Sequence, residues 1–176
     1  MSTFRADPLL GIAKALLTFT MIMLVVGIVG IGVGAIGMLV MKTMATAKLV
    51  ENGATPDTYW AILLMLPLVA ALLALSYRFA ETLRAIVRTV EQGDPFTPVN
   101  ATRLRTMAWL TLAIQLMAVP IAMVGSWIEH AAEKMGDVSV DADISTNGLL
   151  LALVLFILAR VFRTGAQMRE DLEGTV

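Results

Sequence analysis

The sequence predicts an all-α membrane protein with four transmembrane helices, two of them extended into the cytoplasm as amphipathic helices. Three observations lead there. Hydrophobic residues make up 58% of the 176 positions and charged residues 15%, against about 45–50% and about 25% in ordinary soluble domains. The apolar residues are gathered into long runs without charge, which implies lipid as the solvent. The arginines all fall in alternate connections, as a chain that crosses an even number of times would place them. The whole chain, residues 1–176, is expected to form a single four-span domain, with spans at about residues 15–41, 58–77, 106–128 and 144–162.

The first run carries no charge from Ala15 to Met41 and lies between Lys14 and Lys42. As a helix it would be roughly 40 Å long, more than the ~30 Å hydrocarbon core, so it should tilt or project beyond it. A cleaved signal peptide is the rival reading, with Ala45-Thr46-Ala47 resembling a cleavage site, but the run far exceeds a usual h-region of about 7–15 residues. Gly30 and Gly34 lie four apart, a spacing that lets helix backbones approach closely. They are candidate helix-packing residues, against a neighbouring span or against a second copy in a homodimer.

The second run, residues 58–77, begins with Tyr59 and Trp60, whose rings favour the headgroup level, and is closed by Arg78. The third, residues 106–128, contains Gln115 and Pro120 and has Trp127 near its end. The fourth is the weakest. It is free of charge only from Ile144 to Ala159, short for a span of about 20 residues, although Arg160 can snorkel and Val161 and Phe162 prolong the apolar face. A re-entrant segment is the alternative.

Ten of the thirteen Lys and Arg residues sit in the N-terminal segment, the middle connection or the C-terminal tail, and only Lys42, Lys48 and Lys134 lie elsewhere. The positive-inside rule therefore puts both termini and the middle connection on the cytoplasmic side of the membrane. The outer connections hold Glu51, Asp57, Glu129, Glu133, Asp137, Asp141 and Asp143. Residues 138–144 alternate apolar and polar, a short strand signal that could pair near residues 47–50, with an irregular loop as the alternative.

The middle connection, residues 78–105, reads as a cytoplasmic hairpin. Phe79, Leu83, Ile86, Val87 and Val90 fall at helical spacing, with Arg78, Glu81, Arg84, Arg88 and Glu91 on the other face. Gly93 suits a left-handed helix end, Asp94-Pro95 and Pro98 a turn, and Asn100 the cap of the next helix. A joining hairpin and a docking surface for a cytoplasmic partner both fit this pattern. Arg84 and Arg88, and with them Arg103 and Arg105, are candidates for anionic lipid headgroups. The tail, residues 163–176, repeats the amphipathic pattern.

Little points to catalysis. There is no cysteine, no Gly-rich phosphate loop and no Ser/His/Asp set. Glu129, His130 and Glu133 form at most a weak metal cluster, and a solvated helix end explains them as well. Gln115 fits an interhelical hydrogen bond better than a transport path, and the twelve methionines fit adaptable packing. The expectation is a non-enzyme without cofactor, catalytic or metal residues, whose near-neutral charge gives no reason for direct nucleic-acid contact.

The segment Glu91-Gln92-Gly93-Asp94-Pro95-Phe96-Thr97-Pro98-Val99-Asn100-Ala101-Thr102-Arg103-Leu104-Arg105 and the tail around Val161 to Ala166 and Met168 to Leu172 resemble the bacterial multi-pass membrane family catalogued as domain of unknown function 2975. The resemblance extends over essentially the whole chain. It implies four spans, no enzymatic activity, and a regulatory or scaffold role beside a small cytoplasmic helix-turn-helix partner. Carried onto this sequence, Gly93, Pro95, Phe96, Asn100, Arg103 and Arg105 become candidate partner-binding residues. A small transporter or channel-like subunit is the alternative function.

Topology reporters fused after Ala47 and after Gly93 should report opposite compartments, the second cytoplasmic. Signals from the same side would overturn the four-span order.

Overall fold

A computed structural model describes residues 8–131 and 145–173. Within them the chain is helical: α1 (Pro8–Val40), α2 (Lys42–Glu51), α3 (Thr58–Glu91), α4 (Pro98–Ala131) and α5 (Thr146–Glu173). No strand occurs among the described residues. Four of the helices, α1, α3, α4 and α5, are long and apolar enough to cross a bilayer.

The helices outrun the apolar stretches that define them in sequence. α3 continues without a break past Tyr77 to Glu91, and α4 begins at Pro98, ahead of its apolar run. A helix is limited by its caps, whereas a span is limited by where charge begins. Pro67 and Pro120 both lie inside helices. Spanning helices tolerate proline because neighbouring groups take up the freed carbonyl.

α2 is a correction. The sequence reads the segment after Lys42 only as an outer connection, with residues near 47–50 as one possible partner for a strand at 138–144. The segment is instead helical from Lys42 to Glu51, after a single break at Met41 that keeps the bonds from Met41 N–H to the Gly37 carbonyl and from Ala45 N–H to the Met41 carbonyl. Lys42 ends the hydrophobic run but does not stop a helix, since lysine is a good helix former. The strand signal at residues 138–144 lies outside the described residues, as does the start of the fourth run at Ile144.

Contacts divide the chain into two units. The first combines the described residues up to Met23 with Ser76–Leu112 and the chain from Thr146 onward. Its core is Ile86 of α3, Leu104, Met107 and Ala108 of α4, and Leu155 and Ala159 of α5, with Phe79, Leu83, Phe156 and Phe162 packed around it. Ala80, Ala101, Ala152 and Ala166 are buried too. Small side chains at these points let the backbones approach closely, the main source of helix association where lipid removes the hydrophobic driving force.

The second unit combines Leu24–Leu75 with Ala113–Ser145. Tyr59 is buried and its hydroxyl donates to the Met38 carbonyl of α1 at 3.0 Å. The last carbonyl of α4, on Ala131, accepts from the Thr55 N–H at 3.0 Å and the Thr58 hydroxyl at 3.3 Å. The Lys42 ammonium lies 4.7 Å from the Trp60 ring centre, a cation–π contact. Gly27 packs against Leu73, whose Cδ1 would lie 3.1 Å from a Cβ placed there.

Gly30 and Gly34 pack against no other part of the chain among the described residues. A Cβ at either would meet nothing within 4 Å, and Val29 and Val33 beside them are exposed. Within the chain the close approach is at Gly27, which leaves a second copy as the remaining reading of Gly30 and Gly34. α1 is apolar on all sides and Met21 is its only buried residue among those described, as expected of a helix whose surroundings are lipid.

Two helix ends use glycine in the left-handed region, Gly53 (φ 92°) and Gly93 (φ 81°). At Gly93 the N–H reaches the Val90 carbonyl and the next N–H, of Asp94, reaches the Thr89 carbonyl, the paired Schellman bonds. Gly53 and Ala54 repeat this with Val50 and Leu49. Gly93→Ala should lower unfolding stability in detergent by about 1–2 kcal/mol, because an L side chain is strained there. Gly30→Ala should leave it unchanged. Equal losses would show that these glycines are not distinguished by φ and packing.

Candidate functional site

The turn between α3 and α4 is organised by one side chain. Asn100 is fully buried and bonds through both polar atoms of its amide. Its Nδ2 donates to the Thr89 hydroxyl at 2.6 Å and to the Pro95 carbonyl at 2.9 Å. Its Oδ1 accepts from the Arg103 guanidinium at 2.9 Å. The same Arg103 nitrogen donates to the Ala85 carbonyl on α3 at 3.2 Å. The Thr89 hydroxyl in turn donates to the Ile86 carbonyl at 2.7 Å. An amide supplies two donors and one acceptor in a plane, so it can tie both helices and the turn at once.

Asn100 is therefore not the helix cap expected from the sequence. α4 starts two residues earlier, with Pro98 as its first residue and Thr97 before it. The Thr97 hydroxyl accepts from the Asn100 N–H at 3.3 Å. Threonine before proline is a sound start, since proline has no N–H to leave unpaired.

Other parts of the same unit hold the turn from outside. Arg169 of α5 pairs with Asp94, and Lys14 of α1 pairs with Glu91 at 2.6 Å. The Phe96 ring lies 5.0 Å from that of Phe162 and rests on Gly165, where a Cβ would come within 3.0 Å of it. Yet Phe96 remains 45% exposed and Val99 56%, so apolar surface is left at the tip. A cavity of about 180 Å³ opens beside it, lined by Asp94, Phe96, Thr97, Pro98, Ala166, Arg169 and Glu170.

The structure thus brings Gly93, Pro95, Phe96, Asn100 and Arg103 together in one turn. Arg105 stands apart, in a second cavity of about 390 Å³ formed with α5. Of the headgroup candidates, Arg84 is half-buried and Arg88 exposed. Sequence reasoning missed Thr89, Thr97 and Gly165. Threonine three residues before Asn100 was the available signal for the cap. The other two depend on which helix lies opposite.

Outside the turn, Gln115 Nε2 donates to the Ser145 carbonyl at 2.7 Å, just ahead of α5. His130 Nδ1 lies 2.6 Å from the Ser126 carbonyl, while Glu133 is outside the described residues. Among the described residues no three potential ligands gather as a metal site, and every buried side-chain polar atom has a partner.

A family model described as "Protein of unknown function (DUF2975)" matches residues 44–176. The chain belongs to this family. The DUF2975 region takes in α3, α4 and α5 with the whole Asn100 network, and begins inside α2, so α1 and Lys14 lie outside it. The resemblance seen in the sequence is narrower than expected by that first span. No curated protein and no solved structure matches the chain.

Asn100→Ala should cost about 1–3 kcal/mol, the usual range for leaving buried partners unpaired. Lys14→Ala, which breaks a surface pair, should cost under about 1 kcal/mol. Thermal unfolding of the solubilised protein would compare them, and equal effects would deny the network its role.

Proposed function

We propose that this chain is a non-catalytic regulator or scaffold of the bacterial cytoplasmic membrane, crossing it four times with both termini inside. It presents the turn between α3 and α4 to a small cytoplasmic helix-turn-helix protein. In this reading the ends of α3 and α5 are amphipathic extensions standing out from the bilayer. The distribution of arginine supports that orientation, since every arginine lies in the N-terminal segment, the middle connection or the tail.

The observation that carries the docking reading is the contrast within the turn. Its backbone is tied by the Asn100 network while Phe96 and Val99 stay exposed. A surface already ordered loses little entropy on binding, and exposed apolar side chains on an ordered turn are a recognised form of docking site. The kind of partner follows from the family resemblance and not from the turn itself.

Val99→Asp tests the reading, because Val99 makes no part of the network. The unaltered chain, solubilised with its genomic neighbour's product, should retain a stoichiometric helix-turn-helix protein. The variant should lose it with no change in unfolding temperature. Retention by the variant, or no partner with either chain, would overturn the proposal.

A further inference from the structure

Arg105 of α4 and Arg160 and Arg163 of α5 line one cavity of about 390 Å³ with Phe156, Ala159 and Thr164. Among the described residues no carboxylate lines it. Among the described residues none of the three guanidinium groups has a hydrogen-bond or ion-pair partner. The Thr164 hydroxyl is already donated to the Arg160 carbonyl at 3.2 Å, so the arginines are the donors left to a ligand. Three unpaired cations around one opening repel each other unless an anion sits between them. Guanidinium forks match the oxygen geometry of phosphate.

The position of the cavity selects the source of that phosphate. Arg105 immediately precedes the charge-free run that begins at Thr106, and Arg160 immediately follows the run that ends at Ala159. Both helices therefore leave hydrocarbon at this cavity, the level at which phospholipid phosphates lie. Phe156 forms its apolar wall, and the Trp109 ring meets Phe156 edge-on at 5.5 Å while remaining 57% exposed. Ile157 and Val161 are exposed nearby on α5. Such a surface suits the first carbons of an acyl chain below a bound headgroup.

We propose that this cavity binds the phosphate of an anionic phospholipid, with Arg105, Arg160 and Arg163 as its donors and Phe156 and Trp109 flanking the acyl chain. The site is distinct from Arg84 and Arg88. It rests on membrane insertion alone and stands or falls separately from any partner of the α3–α4 turn.

Trp109 reports on the site. The full-length chain carrying Trp60→Phe and Trp127→Phe, in nanodiscs of phosphatidylcholine, keeps it as the single indole. Phosphatidylglycerol with brominated acyl chains should quench Trp109 at a severalfold lower mole fraction than brominated phosphatidylcholine. Replacing any one of the three arginines with Gln should weaken that preference about fivefold, with quenching by brominated phosphatidylcholine unchanged as the sign that the variant is folded and inserted. Arg84→Gln with Arg88→Gln should leave the preference intact. Equal quenching by the two lipids in the otherwise unaltered chain would overturn the proposal, as would undiminished preference in the Arg105, Arg160 and Arg163 variants. Displacement of the quencher by excess inorganic phosphate would assign the cavity to a soluble anion and would overturn it too.

Discussion

Hydrocarbon cannot hydrogen-bond a peptide group, and this constraint shapes every described part of the molecule. Each backbone N–H and C=O that enters lipid must find its partner within its own segment, which leaves the helix as the usable form for an open chain. The same rule governs the ends. The final carbonyl of α4 is met by Thr55 and Thr58, the end of α3 is closed by the Gly93 bonds, and the start of α4 is met by Thr97. Asn100 extends the rule to a side chain, since a buried amide with one bond missing would weaken the turn it organises.

The packing follows from what lipid takes away. Apolar contact alone brings little advantage when the alternative is an equally apolar tail, so association depends on close fit. Alanines fill the crossings of α3, α4 and α5, and Met107 is the large side chain fully enclosed there. The aromatic pairs Phe96–Phe162 and Trp109–Phe156 then set how α5 meets the α4 side of its unit. Surface ion pairs such as Lys14–Glu91 add direction more than stability.

Charge is distributed with the same economy. The apolar runs of the helices carry none, and arginines cluster where the helices leave those runs. Two outcomes result. Arg103 turns inward and becomes part of the Asn100 network, its charge spread over two acceptors. Arg105, two residues further on, points to the cavity it shares with Arg160 and Arg163. A two-residue step on a helix turns a side chain by roughly 200°, enough to give neighbouring arginines different tasks.

Much of the fold was legible in the sequence. Charge-free stretches of adequate length identify spanning helices because the length of a helix in lipid is dictated by the bilayer, and Gly93 was readable as a helix end because only glycine takes that φ cheaply. Other features were not. α2 hides behind Lys42, since loss of hydrophobicity is not loss of helix. Asn100 looked like a cap from its neighbours in sequence, and its true partners Thr89 and Pro95 depend on how the turn closes. Gly30 and Gly34 carried the spacing of a packing motif, yet Gly27 meets a neighbour and they do not, because spacing is a property of one helix and contact a property of two. The sequence by itself determined the four long apolar helices, the helix end at Gly93 and the connections in which arginine gathers, all of which follow from local chemistry and the thickness of a membrane. Only the tertiary structure decided which arginines are bonded, which stand together without a partner among the described residues and what surrounds Asn100, because those depend on the faces that separate helices turn toward one another.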